Sequence, residues 1–289
     1  MTSVDNQNNY LTGNKDMRDI SFSTLLKFWR KKRNFSQLDL ALISNVSQRH
    51  ISFLESGRAK PSQEMILQLS TVLDIPLRER NIMLSSVGFT PIYSQRDLSS
   101  PVLEPVRRAI DFILQQQEPF PALVIDRYWN LFESNYACQI LLKWLINPDD
   151  LQANFCIDGK INMMRLMFHP QGLKPFVSNW EEVTALLIKR VYREVIVDTH
   201  NQDSANLFRE LQTYVDVSHT YLQNNSQNWQ VPLLTVNFLK NGLNLNFFST
   251  ITTLGTPCDI TLQELRIESF FPADTATEEN FKKIFHQQE

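Results

Sequence analysis

The residues best suited to chemistry with a partner molecule lie between Ser47 and Phe53. Glutamine can form two hydrogen bonds with the edge of adenine, arginine can do the same with guanine, and phenylalanine can contact the thymine methyl group. Ile51 and Leu54 are spaced to point inward on one helix. The outward positions near the start of that helix are Ser47, Gln48, Arg49, Ser52 and Phe53. We therefore predict that this helix reads base pairs in the major groove of DNA.

A run of cations precedes this helix and could bind the phosphates beside the groove. Arg30 is followed by Lys31, Lys32 and Arg33, and residues 15–60 hold ten Lys and Arg against four Asp and Glu. The remaining chain is acidic, so the formal net charge is -3. We predict phosphate contacts for Lys31, Lys32 and Arg33 because the local field decides binding. The alternative is that the run is only a solvated helix face.

The elements around these residues are short helices. Phe22–Arg33 has an apolar stripe, Ser36 and Asp39 form a capping-box pattern, and Gly57 suits the end of the recognition helix. Fourth and fifth helices are predicted to begin near Pro61 and Pro76. On the second helix we expect the inner face to be Leu38, Ala41 and Leu42.

This region resembles the XRE/Cro-type helix-turn-helix domain over roughly residues 20–88. The residues that carry the resemblance are Gln37, Ala41, Val46, Ser47, Ile51, Leu54, Glu55, Gly57, Pro61-Ser62 and Leu73. The resemblance implies DNA contacts from Gln37, Ser47, Gln48, Arg49 and Ser52. It also implies a pair between Arg30 and Glu55, which would be structural.

After a predicted linker at 89–104, the pattern changes to a mixture of helices and strands. A helix is expected from Pro105 to Gln117, and the Asn241-Gly242 pair predicts a hairpin. The other predicted elements are strands Ala122–Asp126, Asn130–Ser134, Leu234–Leu239, Leu243–Phe248 and Leu265–Phe271, and helices Tyr136–Ile146, Trp180–Val197, Ser204–Gln223 and Thr277–Phe285. Such a sheet with helices on one face commonly forms a pocket.

The second region resembles the MmyB-like ligand-binding domain over roughly residues 100–286. The matching residues are Pro121–Arg127, Trp129-Asn130, Asn135, Asn162–Phe168 and Trp180. The resemblance implies a PAS-like fold around an apolar cavity, with a fatty acid as the leading candidate ligand. The candidate ligand-binding residues are Trp129, Asn135, Met163, Arg165, Met167, Phe168 and His169.

Each of these ligand assignments has a simpler structural alternative. Methionine gives an adaptable apolar wall, yet Met and Phe at helical spacing also suit an ordinary core. Arg165 or His169 could meet a carboxylate at the pocket mouth. Arg165 could equally pair with a structural carboxylate, and His169 could simply end a helix.

Other functions find little support in the sequence. The five histidines form no close metal-binding pair, and no nucleophile-elbow or phosphate-loop motif is present. The three cysteines form no CxxC pair, and no apolar run reaches membrane-spanning length. We therefore expect a cytoplasmic protein that is not an enzyme and has no cofactor, apart from a bound fatty acid or similar ligand.

The predicted architecture is an all-α helix-turn-helix domain of five helices followed by an α+β PAS-like domain, an antiparallel sheet covered by helices. The boundaries are a disordered polar tail at 1–19, the DNA-binding domain at 20–88, the linker at 89–104 and the ligand-binding and dimerisation domain at 105–289. A homodimer on a double-stranded DNA operator is expected, because two-fold operators need paired recognition helices. The alternative is a second domain that only dimerises or binds a protein.

Overall fold

The computed structural model describes residues 21–157, 159–197, 202–215 and 235–287. They fall into two compact units. The first contains the chain up to Asp97 together with Gly255–Gln263, and the second contains Leu98–Leu254 and the chain from Glu264 onward. The division after Asp97 falls within the predicted linker. The predicted polar tail lies outside the described residues.

Five helices form the N-terminal part of the first unit: α1 (Phe22–Lys32), α2 (Gln37–Ile43), α3 (Gln48–Glu55), α4 (Gln63–Val72) and α5 (Leu77–Ser85). Serine side chains cap the first four helices. At α2 the Ser36 side chain accepts from the Asp39 amide while Asp39 accepts from the Ser36 amide, which is the predicted capping box. Gly57 follows α3 with φ of +72°, a conformation that glycine adopts without steric cost.

The core of the first unit is built mainly on α1, α3 and α4. Its largest members are Phe22, Leu25, Leu26, Trp29, Leu40, Ile51, Leu54, Ile66, Leu69 and Leu73. One prediction for the inner face of α2 was wrong. Leu38 and Leu42 are 50% and 72% exposed, whereas Leu40 and Ala41 are buried.

The second unit contains the remaining helices and all the strands. Its helices are α6 (Glu104–Gln116), α7 (Tyr136–Leu145), α8 (Pro148–Phe155), α9 (Met163–Phe168), α10 (Trp180–Val197) and α11 (Gln202–Tyr214). Near the C-terminus, α12 (Ile260–Glu264) begins in the first unit and α13 (Thr275–His286) packs in the second. The strands are β1 (Ala122–Ile125), β2 (Leu131–Ser134), β3 (Cys156–Ile157), β4 (Lys160–Ile161), β5 (Thr235–Lys240), β6 (Leu243–Thr252) and β7 (Arg266–Pro272).

Five of the strands form one antiparallel sheet in the order β2-β1-β7-β6-β5. The central pairings place Val124 beside Ile267 and Thr250 beside Ser269. The predicted hairpin is confirmed: Asn241 and Gly242 have φ of 52° and 77°, as a type I′ turn requires. The predicted fold class is thus confirmed as five helices followed by an antiparallel sheet with helices, a layout that fits the PAS-like expectation.

Several elements differ from the sequence prediction in detail. Helix α8 and the small β3–β4 hairpin were not predicted. Helix α10 has the predicted bounds, and the predicted strand at Leu243–Phe248 runs on to Thr252. The predicted helix at Ser204–Gln223 is seen to Tyr214, and its last part and Leu234 lie outside the described residues. Within the described ranges, no helix is long and apolar enough to cross a membrane.

Candidate DNA-binding surface and ligand-binding domain

Helix α3 presents polar side chains at its N-terminal end and buries Ile51 and Leu54 on its inner side. Ser47 caps the helix by accepting a hydrogen bond from the His50 amide at 3.2 Å. Gln48 and Arg49 are exposed beside it, and Ser52 is half-buried one turn later. The Arg49 guanidinium lies 5.3 Å from the centre of the Phe53 ring. A cation–π contact of this kind directs Arg49 along the exposed face of the helix.

The orientation of α3 is fixed by a buried ion pair between α1 and the end of α3. Arg30 Nη2 donates to Glu55 Oε2 at 2.9 Å, and a second Arg30 nitrogen donates to the Phe35 carbonyl at 2.7 Å. The Gln37 amide donates to the same carboxylate at 2.8 Å. The predicted Arg30–Glu55 pair is therefore confirmed. Gln37, predicted to contact DNA, lies at the start of α2 with its amide nitrogen held by Glu55.

The electrostatics of this pair keep Glu55 ionised. Burial acts to raise the pKa of Glu55, but hydrogen bonds from Arg30 and Gln37 and the Arg30 charge outweigh it, so the pKa lies below its ordinary value. The hydrogen bond to Glu55 likewise raises the pKa of Arg30. The pair thus links α1, α2 and α3 through charge-assisted hydrogen bonds.

The three cations predicted to contact phosphates lie in different surroundings. Lys31 is exposed. The Lys32 ammonium lies 4.6 Å from the centre of the Trp29 ring. Arg33 donates to the Leu73 carbonyl at 2.8 Å and pairs with Asp74 at 3.2 Å, so it closes the end of α4. Lys31 therefore has the exposed side chain that suits the predicted phosphate contact, whereas Lys32 and Arg33 contact neighbouring residues of the fold.

In the second unit, the predicted ligand residues on α9 divide between two faces. Phe168 is fully buried and makes an edge contact with Trp180, with ring centres 5.3 Å apart. Met163 and Met167 are half-buried and pack against the same core. Asn162 caps the helix through the Arg165 amide.

The two charged or titratable candidates on α9 already have neighbours. Arg165 pairs with Glu210 of α11 at 2.9 Å. His169 lies between the rings of Phe155 and Tyr214, with ring centres 5.2 and 5.3 Å away. The structure therefore brings Arg165 and His169 together where α9 meets α11. Met163 and Met167 pack against the core of the unit, and Trp129 lies in another cluster.

Asn135 has a structural place at the start of α7. Its side-chain oxygen accepts from the Ala122 and Cys138 amides, both at 2.9 Å, and its nitrogen donates to the Phe120 and Leu114 carbonyls at 2.8 and 3.3 Å. The side chain is buried. These contacts join β1, α6 and α7 and occupy the hydrogen-bonding groups that a ligand would need.

Trp129 is the centre of a cluster that the sequence did not predict. Its indole nitrogen donates to Glu194 at 2.7 Å, and the guanidinium groups of Arg190 and Arg266 each lie 5.3 Å from the centre of its ring. Arg266 also donates to Glu194. Burial raises the pKa of Glu194, opposed by the attraction of Arg266 and the indole hydrogen bond. The charged residues come from α10 and β7, so no local sequence signal could have grouped them.

The connection between β6 and β7, residues Gly255–Gln263, belongs to the first unit, and we call it the β6–β7 connection. Asp259 is buried and pairs with Arg96 at 3.0 Å. Backbone contacts join this connection to the strand-like segment at Ser94, where the Ile260 amide donates to the Ser94 carbonyl at 2.8 Å. Gln263 accepts from the Leu77 amide at 2.7 Å and so caps α5, whose own N-cap residue provides no side-chain cap.

These features define the class of protein. A helix-turn-helix unit that presents α3, followed by an α+β unit, has the layout of a DNA-binding transcription regulator with a second domain. Among the described residues, no group of three His, Cys, Asp or Glu could hold a metal ion.

The comparisons with known families agree with this class. The chain belongs to the family described as the MmyB-like transcription regulator ligand binding domain, whose sequence model matches residues 106–283. A helix-turn-helix family model matches residues 26–80. No curated protein matches the chain. Both resemblances drawn from the sequence are thus confirmed.

Proposed function

We propose that this protein is a cytoplasmic, non-enzymatic regulator that reads an operator with α3 and senses a small apolar ligand, with a fatty acid as the leading candidate. The observation that carries the DNA-reading part is the exposure of Gln48 and Arg49 at the N-terminal end of a helix anchored by the Arg30–Glu55 pair. A homodimer is part of the proposal, because a two-fold operator presents two half-sites about one helical turn apart.

Replacing Gln48 and Arg49 together by alanine is expected to abolish operator discrimination while leaving weak, salt-sensitive DNA binding. Each good base contact contributes about 1–3 kcal/mol of discrimination. A gel-shift series with the selected operator and scrambled duplexes measures this ratio.

The matched control for that experiment is Lys31→Ala, which removes an exposed cation outside α3. This variant should weaken binding to operator and scrambled DNA equally and reduce the salt slope by about 1. Operator discrimination unchanged in the Gln48→Ala, Arg49→Ala protein would contradict the assignment of α3 as the reading element.

The ligand part of the proposal is supported by the family and by the residues of α9. Met163 and Met167 can adapt to an acyl chain because methionine is unbranched and flexible. A fatty-acid carboxylate would take the place of Glu210 on Arg165, since both are carboxylates and the Arg165 side chain is 35% exposed.

Mass spectrometry of the purified full chain, first native and then after solvent extraction, tests the ligand proposal. We expect a lipid in stoichiometric amount, released on unfolding, and Arg165→Gln should reduce the amount retained if the lipid carries a carboxylate. Met164→Leu changes a buried residue beside Arg165 without altering charge and serves as the control for packing. A chain that carries no lipid and gains no stability from added fatty acids would favour the alternative, a second unit that only dimerises or binds a protein.

We propose that the β6–β7 connection carries the response from the sheet to the DNA-binding unit. By sequence it joins two neighbouring strands of the sheet, while its contacts, through Asp259 and Gln263, are to the first unit. A ligand that shifts β6 or β7 would therefore displace Gln263, whose side chain caps the start of α5. This route is additional to the predicted linker at 89–104, which also joins the two units.

The Asp259→Ala variant is expected to keep operator binding but lose its response to the extracted lipid. Cys258 is exposed beside Asp259 and can carry a spin label, with Cys156→Ser as the background. Burial raises the pKa of the Cys138 thiol to about 12, so that residue will not compete for the label. The label should become more mobile in the variant. A lipid response equal to that of the wild type, with the label mobilised, would rule out this route.

A further inference from the structure

Helix α6 has an apolar surface on the side that faces away from the fold. Its inner side holds Ile110 and Leu114, which are buried. On its outer side Phe112 is 59% exposed, and Val102 in the turn before the helix is 68% exposed. Single exposed apolar residues are ordinary, but Phe112 also lines a groove on this side of the helix.

The outer side of α6 is concave and has the spacing of a helix-packing seam. A groove of about 480 Å³ is lined by Pro101, Glu104, Pro105, Arg108, Ala109 and Phe112. Pro101, Pro105, Arg108 and Phe112 follow one another at intervals of four, three and four, which places them on one stripe of the helix and its preceding turn. Pro105 and Ala109 are compact, so another helix can approach closely here.

Two opposite charges border this groove one helical turn apart. Glu104 and Arg108 are both exposed. Within the part of the chain that the structure describes, neither side chain makes a hydrogen bond or ion pair. The groove therefore offers one acid and one base to whatever covers it.

We propose that the groove is covered by α6 of a second copy of this chain, packed antiparallel across a two-fold axis. A two-fold axis brings the same patch of both copies together, so the patch must complement itself. In the register that places Arg108 opposite the partner's Glu104, Phe112 lies within one residue of the partner's Pro101, and symmetry repeats both contacts. The opposite charges of Glu104 and Arg108 satisfy this requirement, whereas a patch of one charge would not.

This inference goes beyond the proposed function because it assigns the surface through which two chains associate. It also supplies what a two-fold operator needs, two recognition helices held in one particle. The contact lies wholly within the second unit and requires neither the ligand nor DNA. A dimer that resists the substitutions on α6 would overturn this interface and leave the homodimer of the proposed function standing, whereas a monomeric wild type would overturn both.

Charge reversal tests the contact in the full-length protein. Glu104→Arg alone and Arg108→Glu alone each place like charges opposite one another, and each should weaken dimerisation at least about tenfold. The double variant restores opposite charges and should dimerise within about threefold of the wild type. Sedimentation equilibrium across a range of concentrations gives the dissociation constants. Circular dichroism confirms that the variants are folded.

The control is Leu42→Lys, which changes another exposed apolar residue but lies on α2 of the first unit. It should leave the dimerisation constant unchanged. The proposal would be overturned by any of three results. These are a monomeric wild type, dimers whose dissociation constant is unchanged by both single reversals, or a double variant that does not regain dimerisation. The monomeric variants should still recognise a single half-site weakly, which separates a lost interface from a mistaken reading helix.

Discussion

Replacing Glu55 by alanine is expected to lower the free energy of unfolding of the first unit by about 3–5 kcal/mol. The side chains of Arg30 and Glu55 are only 10% and 4% exposed, so solvent does little to screen the pair. The substitution would leave the Arg30 guanidinium buried without its carboxylate and would also release the Gln37 amide. A loss of this size is comparable to a large part of the stability of a small domain.

Urea unfolding followed by circular dichroism measures this loss, and two further variants identify its cause. Glu64→Ala removes an exposed glutamate from the first turn of α4 and should cost less than about 1 kcal/mol. Combining Glu55→Leu with Arg30→Met removes both charges and should recover much of the stability, because the uncompensated charge is the main cost. A loss below about 1 kcal/mol for Glu55→Ala would show that the pair does not anchor α3.

The same pair gives the first unit an acid-sensitive component of stability. The folded-state pKa of Glu55 lies below its ordinary value, so this contribution is present above the ordinary pKa and is lost as the pH falls through the folded pKa. The wild type should therefore lose stability more steeply on acidification than Glu55→Gln. Parallel unfolding curves for the two proteins across the acid range would contradict this sign.

The error on α2 shows what a sequence pattern leaves out. The inward stripe of α2 consists of Gln37, Leu40, Ala41 and Ser44, spaced as one face of a helix. Two of these four residues are polar. They can lie on the inner face because Gln37 donates to Glu55 and the Ser44 hydroxyl donates to the Leu40 carbonyl. Apolar character alone therefore predicted that Leu38 and Leu42 face inward. The observed rotation of α2 is explained by the hydrogen bond from Gln37 to Glu55, which depends on the tertiary structure.

In the second unit, local signals succeeded and long-range contacts could not be predicted. The Asn241-Gly242 turn is a two-residue feature, and its hairpin followed from the sequence. Trp129 was singled out, but its partners Glu194 and Arg266 are 65 and 137 residues further along the chain. The same holds for Gln263, which caps α5 although it lies 186 residues further along the chain than Leu77. Such contacts depend on the strand order, which the pattern of elements does not specify.

The second large effect is expected at Asn135, where alanine should cost the second unit about 3 kcal/mol or more. The substitution removes an N-cap and leaves buried backbone groups of β1, α6 and α7 without their partner, each such group costing about 1–3 kcal/mol. Asn147 is the matched control: it caps the next helix, α8, but is exposed, so Asn147→Ala should cost only about 1 kcal/mol.

Asn135→Asp separates the two halves of this network, because aspartate keeps the oxygen that accepts from Ala122 and Cys138 but cannot donate to Phe120. At neutral pH its cost should equal or exceed that of Asn135→Ala, because the buried carboxylate would face the carbonyls of Phe120 and Leu114. The measurements also decide between the two roles considered for Asn135. If Asn135 only contacted a ligand, the lipid-free Asn135→Ala protein would be as stable as Asn147→Ala and would retain less lipid. The observed hydrogen bonds instead require Asn135→Ala to lower the free energy of unfolding with or without lipid.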